Sequence, residues 1–307
     1  MLDPQARALI DLMIEKGVPP THTLTPAQAR AFYRDRRGFT QPDPPAMAEV
    51  RDLQAGAVPL RLYRPHASQA ELPVLLYLHG GGWTIGDLDT HDVLCRQLAR
   101  EASCAVVAVD YRMGPEHRFP AAVDDCVEAF RWLLTQAADL HLDPRRTAVG
   151  GDSAGGNLAA ALCLVQRDAG QPLPGFQLLV YPATDMRAVA LSHTTNGQGY
   201  MLTQDSIAWY RGNYLPDAAQ WTDWRASPLL AASHAGLPPA LVLTAGYDPL
   251  RDEGLQYANV LSAAGVPTQY VCFERQIHGF ITMSRVIEEA HTAVALCGGA
   301  LRRAWGA

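Results

Sequence analysis

The sequence predicts an α/β fold in which a mostly parallel, doubly wound sheet is covered by a helical cap. From about residue 58 onward, short β-branched apolar runs alternate with longer helical patterns. Parallel strands need long crossover connections, and helices of this length supply them. Two segments, residues 1–45 and 185–225, stay outside the alternation and have no strand character. We therefore expect one layered sheet with an additional helical part.

The alternating region divides into seven strands and five helices. Each expected strand is a short apolar run bounded by turn residues. The expected strands are residues 58–63, 74–78, 104–109, 147–149, 177–181, 240–244 and 269–273. The expected helices, which have apolar residues at helical spacing, are residues 91–101, 121–138, 154–168, 250–264 and 281–303.

The domain division follows from the same pattern. Residues 46–184 and 226–307 are assigned to the sheet-based core, and residues 1–45 and 185–225 to the helical cap. The first cap segment is helical and then proline-rich, and the second carries clustered aromatic residues. Ligands of open α/β sheets bind outside the carboxyl ends of the strands, so we expect the cap to lie over that edge.

Composition excludes several classes of protein. The net charge is −6 without any run of basic residues, which argues against nucleic-acid binding. No uninterrupted apolar stretch reaches the roughly 18 residues of a membrane helix, and the N-terminus does not resemble a signal peptide. Six scattered cysteines without a C-x-x-C pair predict buried free thiols. We expect a cytoplasmic protein that does not bind membranes.

A G-x-S-x-G pattern at residues 151–155 places Ser153 between an expected strand and an expected helix. A serine hydroxyl is a weak nucleophile at neutral pH and needs a base within hydrogen-bond reach. A sharp strand-to-helix turn would present the Ser153 side chain above the sheet, and glycines on both sides permit such a turn. The alternative is a glycine-rich helix start that contains a serine by chance.

A second pattern, HGGG at residues 79–82, directly follows an expected strand. Consecutive glycines leave backbone N–H groups unshielded, so they can stabilise the negative charge that develops on a carbonyl oxygen. The predicted donors are the N–H groups of Gly81, Gly82 and Ala154, and His79 is expected to orient the loop. The alternative is a flexible glycine turn.

The general base must come from ten histidines, and His278 has the most informative position. It follows the last expected strand by a short loop, whereas His66 and His234 fall in expected surface loops and His291 in a helical pattern. The acid should follow the preceding strand, where Asp248 lies nearest the strand end. Pro249 suits a first helical position, so Asp248 is also a plausible N-cap. Asp252 is the alternative acid.

The resulting chain order, serine then aspartate then histidine, is that of α/β-hydrolases. The motifs resemble those of the hormone-sensitive-lipase group, the microbial family IV carboxylesterases. They are HGGGW at 79–83, DYRMGPEH at 110–117 with FPAA at 119–122, GDSAGGNLA at 151–159, DPLRDEG at 248–254 and HGF at 278–280. Met113 and Gly114 replace the Leu-Ala common in that group. The resemblance implies an esterase for short- to medium-chain acyl esters that needs no cofactor and often forms a homodimer through its last strand and helix.

The remaining candidates concern the pocket and its support. Five cap or loop residues are candidates for the substrate pocket, although aromatic residues in a cap can equally serve packing: Trp83, Tyr181, Met201, Trp209 and Tyr210. Asp110, Arg112 and Glu116 are expected to form a structural ion-pair network. No cluster has metal-ligand spacing, and the glycine loops lack the Lys-Ser/Thr of a phosphate site, so neither metal nor cofactor is expected.

The predicted function is therefore that of a carboxylesterase acting on a small-molecule acyl ester. Ser153, Asp248 and His278 would form the catalytic triad of a mechanism with an acyl-enzyme intermediate. Two alternatives remain open at this point. One is a non-catalytic receptor on the same fold, which the presence of His278 disfavours, and the other is the same serine chemistry on an amide or a lactone.

Overall fold

Strand β3 (Leu72–Leu78) shows why this chain forms a sheet with helices on both faces. A computed structural model describes residues 1–67 and 70–306 of the protein. All seven residues of β3 are buried. Leu76 and Leu78 join one apolar cluster, whereas Leu75 and Tyr77 join a second cluster on the other face. Two-sided burial of this kind is typical of a parallel strand covered by helices on both faces.

The described residues form one eight-stranded sheet in the order β1-β2-β4-β3-β5-β6-β7-β8. Strand β2 pairs antiparallel with both β1 and β4, and every other pairing is parallel. The sheet confirms the predicted fold class. The other strands are β1 (Glu49–Ala55), β2 (Val58–Arg64), β4 (Ala105–Val109), β5 (Leu142–Asp152), β6 (Gln177–Val180), β7 (Ala240–Tyr247) and β8 (Thr268–Ile277).

Helices cover both faces of the sheet. Residues of α3 and α9 belong to the apolar cluster on one face, and residues of α4, α5 and α8 to the cluster on the other. The α-helices are α1 (Pro4–Glu15), α2 (Pro26–Thr40), α3 (Asp92–Ala102), α4 (Ala121–Gln136), α5 (Ala154–Asp168), α6 (Leu191–Thr195), α7 (Gln204–Tyr214), α8 (Arg251–Ala263) and α9 (Glu289–Ala304).

Several elements differ from the sequence prediction, among them β5, which was expected at residues 147–149 and spans Leu142–Asp152. Strand β1 was not predicted, because its sequence is mostly polar and most of its residues are at least partly exposed. It forms through pairing with β2 across a tight turn at Gly56, whose φ is +59°. The last helix was predicted from residue 281 but begins at Glu289. The residues before it form a short 3-10 turn, Phe280–Thr282, and an irregular segment whose Met283 and Ile287 are buried.

The helical segments outside the alternation contain α1 and α2 in residues 1–45, and α6 and α7 in residues 185–225. Helix α7 contacts the 3-10 turn Thr21–Thr23, so the two segments meet. Both contribute residues to the cavity described below. Their division from the core as a separate cap stays a prediction.

Two further sequence predictions concern the cysteines and membrane-crossing helices. All six cysteines are free thiols, as the sequence predicted, and five of them are buried, whereas Cys272 is partly exposed. In residues 1–67 and 70–306, no helix combines the length and the apolar character that crossing a membrane requires.

The contact between β3, β5 and α5 leaves no room for side chains at two glycines. A Cβ atom on Gly155 would lie 1.8 Å from the carbonyl oxygen of Leu78, and one on Gly151 would lie 2.2 Å from the same atom. These are backbone neighbours in the middle of the sheet, so they cannot move aside as a flexible side chain can. The glycines therefore set how closely α5 approaches the end of β3.

We predict opposite effects for two glycine-to-alanine substitutions. Gly155→Ala should lower the free energy of unfolding by about 1–3 kcal/mol or more, because the added methyl group overlaps backbone atoms. Gly38→Ala is the matched control, since that position is helical, exposed and has no atom within 4 Å of the added Cβ. It should raise stability by about 0.5–1 kcal/mol. Urea unfolding followed by circular dichroism measures both, and equal stabilities would contradict the packing argument.

Candidate active site

Ser153 is the single residue between the end of β5 and the start of α5. Its φ of +57° and ψ of −117° lie outside the regions that residues with a Cβ normally adopt. Such a conformation persists only where the surroundings fix it, and here the Ser153 N–H donates to the carbonyl of Val180 at 2.8 Å. Ser153 forms part of a cavity wall, with the positive end of the α5 dipole beside it.

His278 connects Ser153 to a buried carboxylate. Its Nε2 lies 2.9 Å from the Ser153 Oγ, and its Nδ1 lies 2.7 Å from Oδ2 of Asp248. Asp248 is fully buried, and its other carboxylate oxygen accepts a hydrogen bond from the N–H of Leu250 at 2.8 Å. Because the carboxylate only accepts, Nδ1 carries the proton and Nε2 is free to accept the hydroxyl proton of Ser153.

The carboxylate of the alternative acid, Asp252, forms hydrogen bonds with residues other than His278. It accepts from the Ser192 N–H at 2.9 Å and from Nε of Arg251 at 2.7 Å. The expectation that Asp248 serves as a helix N-cap is wrong, because α8 begins at Arg251 and its cap residue is Leu250. The chain between β7 and α8 instead turns Asp248 toward His278.

The glycine loop, which we define as residues 79–85, faces the same cavity as Ser153. Gly81 and Gly82 have φ values of +123° and +58° and both line the cavity. A Cβ atom on Gly82 would lie 2.3 Å from the ring of Tyr210. Among the hydrogen bonds formed within the described chain, neither Gly81 nor Gly82 uses its N–H as a donor. Ala154 is buried and is absent from the described cavity wall, although it directly follows Ser153.

Asp152, the last residue of β5, joins that strand to the glycine loop. Its Oδ1 accepts from the Gly80 N–H at 3.0 Å and from the hydroxyl of Tyr77 at 2.8 Å, and its Oδ2 lies 3.4 Å from Nε2 of His91. Burial alone would raise the pKa of Asp152, but the charge of His91 and these hydrogen bonds hold it below its ordinary value. Asp152 is therefore an ionised, buried anchor between β5 and the glycine loop.

His79 orients the glycine loop from a fully buried position. Its Nδ1 lies 2.8 Å from the carbonyl oxygen of Gly80, and its ring stacks on Tyr111 at 4.3 Å between centroids. The Tyr111 hydroxyl donates to the carbonyl of His79 at 2.6 Å. Burial, reinforced by the neighbouring His91, lowers the pKa of His79 to about 4. The imidazole is thus neutral at pH 7.

The cavity above Ser153 has a volume of about 390 Å³. Of the predicted pocket residues, Trp83, Met201 and Tyr210 form part of its wall. Tyr181 and Trp209 are not among the described wall residues. The Tyr181 ring lies fully buried 4.6 Å from the His278 ring, and Trp209 packs edge-on against Tyr210 at 5.1 Å.

Much of the wall comes from residues that the sequence did not single out. One large group of these consists of apolar side chains of the first 32 residues: Ile10, Met13, Ile14, Val18, Pro19, Pro20, Leu24, Ala29 and Phe32. The apolar stripe of α1 was the only available signal, and by itself it does not distinguish a cavity wall from ordinary packing.

A buried polar pair also belongs to the wall. His193 Nε2 lies 2.6 Å from Oε2 of Glu253, whose other oxygen accepts from the Thr184 N–H. Burial raises the pKa of Glu253, although His193 and these bonds oppose that shift. This pair connects α6 to α8 beside the cavity.

Asp110, Arg112 and Glu116 do not form the predicted ion-pair network with one another, although two of them form ion pairs with other residues. Arg112 pairs with Asp125 at 2.7 Å, and Glu116 pairs with Arg30 at 2.7 Å. Asp110 has no cationic group within 4 Å among the described residues, and burial raises its pKa to about 6. The partner of Arg112 lies in α4, 13 residues along the chain, and the partner of Glu116 lies in α2, 86 residues away.

Comparison with known proteins places this geometry in a family. Residues 75–282 match the family described as the α/β hydrolase fold. Over 252 residues, 79% of this chain and 67% of the other, the protein is 47% identical to carboxylic ester hydrolase LipN of Mycobacterium tuberculosis. It is 37% identical to an ethyl acetate hydrolase of Pseudomonas putida, covering 98% and 99% of the two chains.

Solved structures show the same likeness. An ester hydrolase from the metagenome of Lake Arreo, complexed with a bipyridine phosphonate derivative, has a TM-score of 0.96 and 43% identity, with both chains fully covered. A thermostable esterase from Pseudomonas putida has a TM-score of 0.94 and 35% identity, covering 98% and 97% of the chains.

The fold and the site together define the class of this protein as an α/β-hydrolase. The chain belongs to the hormone-sensitive-lipase-like family IV of that fold, and it is an enzyme of the carboxylic ester hydrolase type. This confirms the resemblance that the five sequence motifs indicated.

The pKa of His79 generates a prediction about stability. Its folded value of about 4 lies below the unfolded value of about 6.5, so the unfolded chain binds the proton first. The contribution of neutral His79 to the free energy of unfolding is therefore present above pH 6.5 and is lost as the pH decreases toward 4. Between pH 7.5 and 5.0, the wild type should lose about 2 kcal/mol more than a His79→Phe variant, as measured by urea unfolding. Equal losses would show that His79 does not titrate in this way.

Proposed function

We propose that the protein hydrolyses short- to medium-chain acyl esters by a Ser-His-Asp triad through an acyl-enzyme intermediate. The observation that carries this proposal is the continuous chain of contacts from Ser153 Oγ to His278 at 2.9 Å and from His278 to Asp248 at 2.7 Å. This is the arrangement of nucleophile, base and orienting acid that serine hydrolysis requires.

The chemistry proceeds in two halves. Ser153 Oγ attacks the ester carbonyl while Nε2 of His278 accepts the hydroxyl proton, and Asp248 stabilises the imidazolium without taking its proton. His278 then gives the proton to the departing alcohol, which leaves an acyl-enzyme. A water molecule, activated by His278, attacks the acyl group, and collapse of the second tetrahedral species releases the acid and restores Ser153.

The negative oxygen of each tetrahedral species needs donors that are fixed before the charge develops. We assign this role to the N–H groups of Gly81, Gly82 and Ala154. Gly81 and Gly82 line the cavity and their N–H groups donate to no acceptor among the described residues, and the N-terminus of α5 contributes its dipole at Ala154.

The cavity supports a small-molecule acyl ester as substrate. A volume of about 390 Å³ with mainly apolar walls suits a short or medium acyl chain. One similar protein, from Pseudomonas putida, is an ethyl acetate hydrolase, which acts on an ester at the small end of this range.

Replacement of the nucleophile is the direct test. Ser153→Ala should lower kcat for p-nitrophenyl butyrate by about 10⁴-fold or more, because no other group can form the acyl-enzyme. The wild type, measured with esters from acetyl to palmitoyl, should be fastest with short and medium chains. Circular dichroism of the variant controls for folding. A folded Ser153→Ala protein with more than a tenth of the wild-type rate would refute the assignment.

Two aspartates on neighbouring turns provide a matched pair for the acid. Asp248→Asn should lower kcat by about 10³- to 10⁴-fold, because an amide cannot hold the correct tautomer of His278. Asp252→Asn should retain kcat within about tenfold, since Asp252 bonds Ser192 and Arg251 instead. Steady-state kinetics on both proteins decides between them, and the reverse ranking would move the acid to Asp252.

A further inference from the structure

The backbone of the glycine loop adopts unfavourable φ values, so contacts with other segments must stabilise it. Gly81, Gly82 and Trp83 have successive φ values of +123°, +58° and +54°. A positive φ is unfavourable for a residue with a side chain such as Trp83, so neighbouring groups must fix the turn. Within the loop, the Gly81 carbonyl accepts from the N–H groups of Thr84 and Ile85 at 3.1 and 2.9 Å.

Arg30 of helix α2 binds the outer side of this loop. Its Nε donates to the carbonyl of Thr84 and its Nη2 to the carbonyl of Gly114, both at 2.8 Å. The Gly114 N–H in turn donates to the Trp83 carbonyl at 2.8 Å, so the guanidinium spans two segments that already contact each other. Glu116 accepts two further bonds from Arg30, at 2.8 and 2.7 Å, which fix the plane of the guanidinium.

One face of helix α2 lies along the end of the glycine loop and the residues that follow it. Positions 30, 34 and 37 recur at the spacing of a single helical face, and Gln41 directly follows the last helical residue. Three contacts follow Arg30 in order: Arg34 with Asp87, Arg37 with the Asp89 carbonyl, and Gln41 with the Thr90 carbonyl. The helix is therefore fixed along residues 84–90 rather than at one point.

The neighbouring face of α2 forms part of the cavity wall. Ala29, Phe32, Tyr33 and Arg36 contribute to it, whereas Arg30 is absent from the described wall residues. The Arg30 side chain is 22% exposed. Arg30 thus contacts the back of the loop whose front faces the substrate cavity.

We propose that Arg30 is a positioning residue for the oxyanion hole. It locks α2 against the glycine loop and so fixes the direction of the Gly81 and Gly82 N–H groups. The inference rests on the proposed function, because those donors matter only if Ser153 generates an oxyanion. Arginine suits this role since its planar fork can bond two carbonyls and a carboxylate at once, which the compact ammonium of lysine cannot do.

Substitution of Arg30 should lower kcat and leave KM nearly unchanged. Removal of one oxyanion donor costs on the order of 10²- to 10³-fold in kcat, so loosened donors should cost less. We expect Arg30→Gln to lower kcat for p-nitrophenyl butyrate about 10- to 100-fold with KM within about threefold, and Arg30→Lys to recover little of the loss. Arg34→Gln is the matched control, because it removes a contact of the same helix face beyond the loop, and its kcat should stay within about threefold.

A trifluoromethyl ketone supplies a readout that general destabilisation would not move. It adds to the serine as a hemiketal whose oxyanion needs the same donors, so its Ki should rise in Arg30→Gln by about the factor that kcat falls. All rates refer to protein shown to be folded by circular dichroism. If Arg30→Gln does not fold, Arg30→Lys undergoes the same two measurements and decides the question.

The outcomes distinguish the two proposals. A wild type that the ketone does not inhibit would overturn the serine mechanism itself. A wild type that is inhibited, together with a folded Arg30 variant whose kcat and Ki stay within about threefold, would overturn only the role of Arg30. A loss of kcat without a matching rise in Ki would also overturn it.

Discussion

The site depends on one buried carboxylate, that of Asp152, which ties the glycine loop to the strand preceding Ser153. A carboxylate removed from water is costly unless several donors surround it. The donors here are the Gly80 N–H in the glycine loop, the Tyr77 hydroxyl in β3 and the His91 ring directly before α3. The carboxylate therefore fixes the relative positions of two segments that belong to different parts of the sequence. Removing any one donor would leave a buried charge partly unpaired.

Two unfavourable backbone conformations occur in the segments that this anchor connects. Ser153 and Trp83 both have positive φ without being glycine. Each is fixed by hydrogen bonds from a neighbouring segment, Val180 for Ser153 and Gly114 for Trp83. Between them, Gly155 allows α5 to approach the end of β3 so closely that no Cβ atom would fit. Close packing thus maintains a backbone geometry that neither segment would adopt alone.

The sequence predicted best what local pattern and strand order determine. The elbow, the glycine loop and the histidine all follow ends of apolar strands, and parallel strands bring those ends to one edge. Strand β1 was missed because pairing with β2, and not its own polar sequence, makes it a strand. The apolar N-terminal wall and the Arg30–Glu116 pair were missed because residues more than 50 positions apart meet there. Nothing in the local sequence of either segment specifies such a partner.

Helix α2 combines two tasks that its periodicity keeps apart. The face at positions 30, 34 and 37 bonds the end of the glycine loop and the chain after it, and the face with Phe32 and Tyr33 borders the cavity. Successive residues of an α-helix are rotated by about 100°, so the two faces point in different directions. A side chain on the cavity face can therefore change in size without altering the polar contacts. Changes at Phe32 would then alter the shape of the cavity, whereas the geometry around Ser153 would remain. A shift of the whole helix would instead affect both, which links the shape of the cavity to the glycine loop through a rigid element.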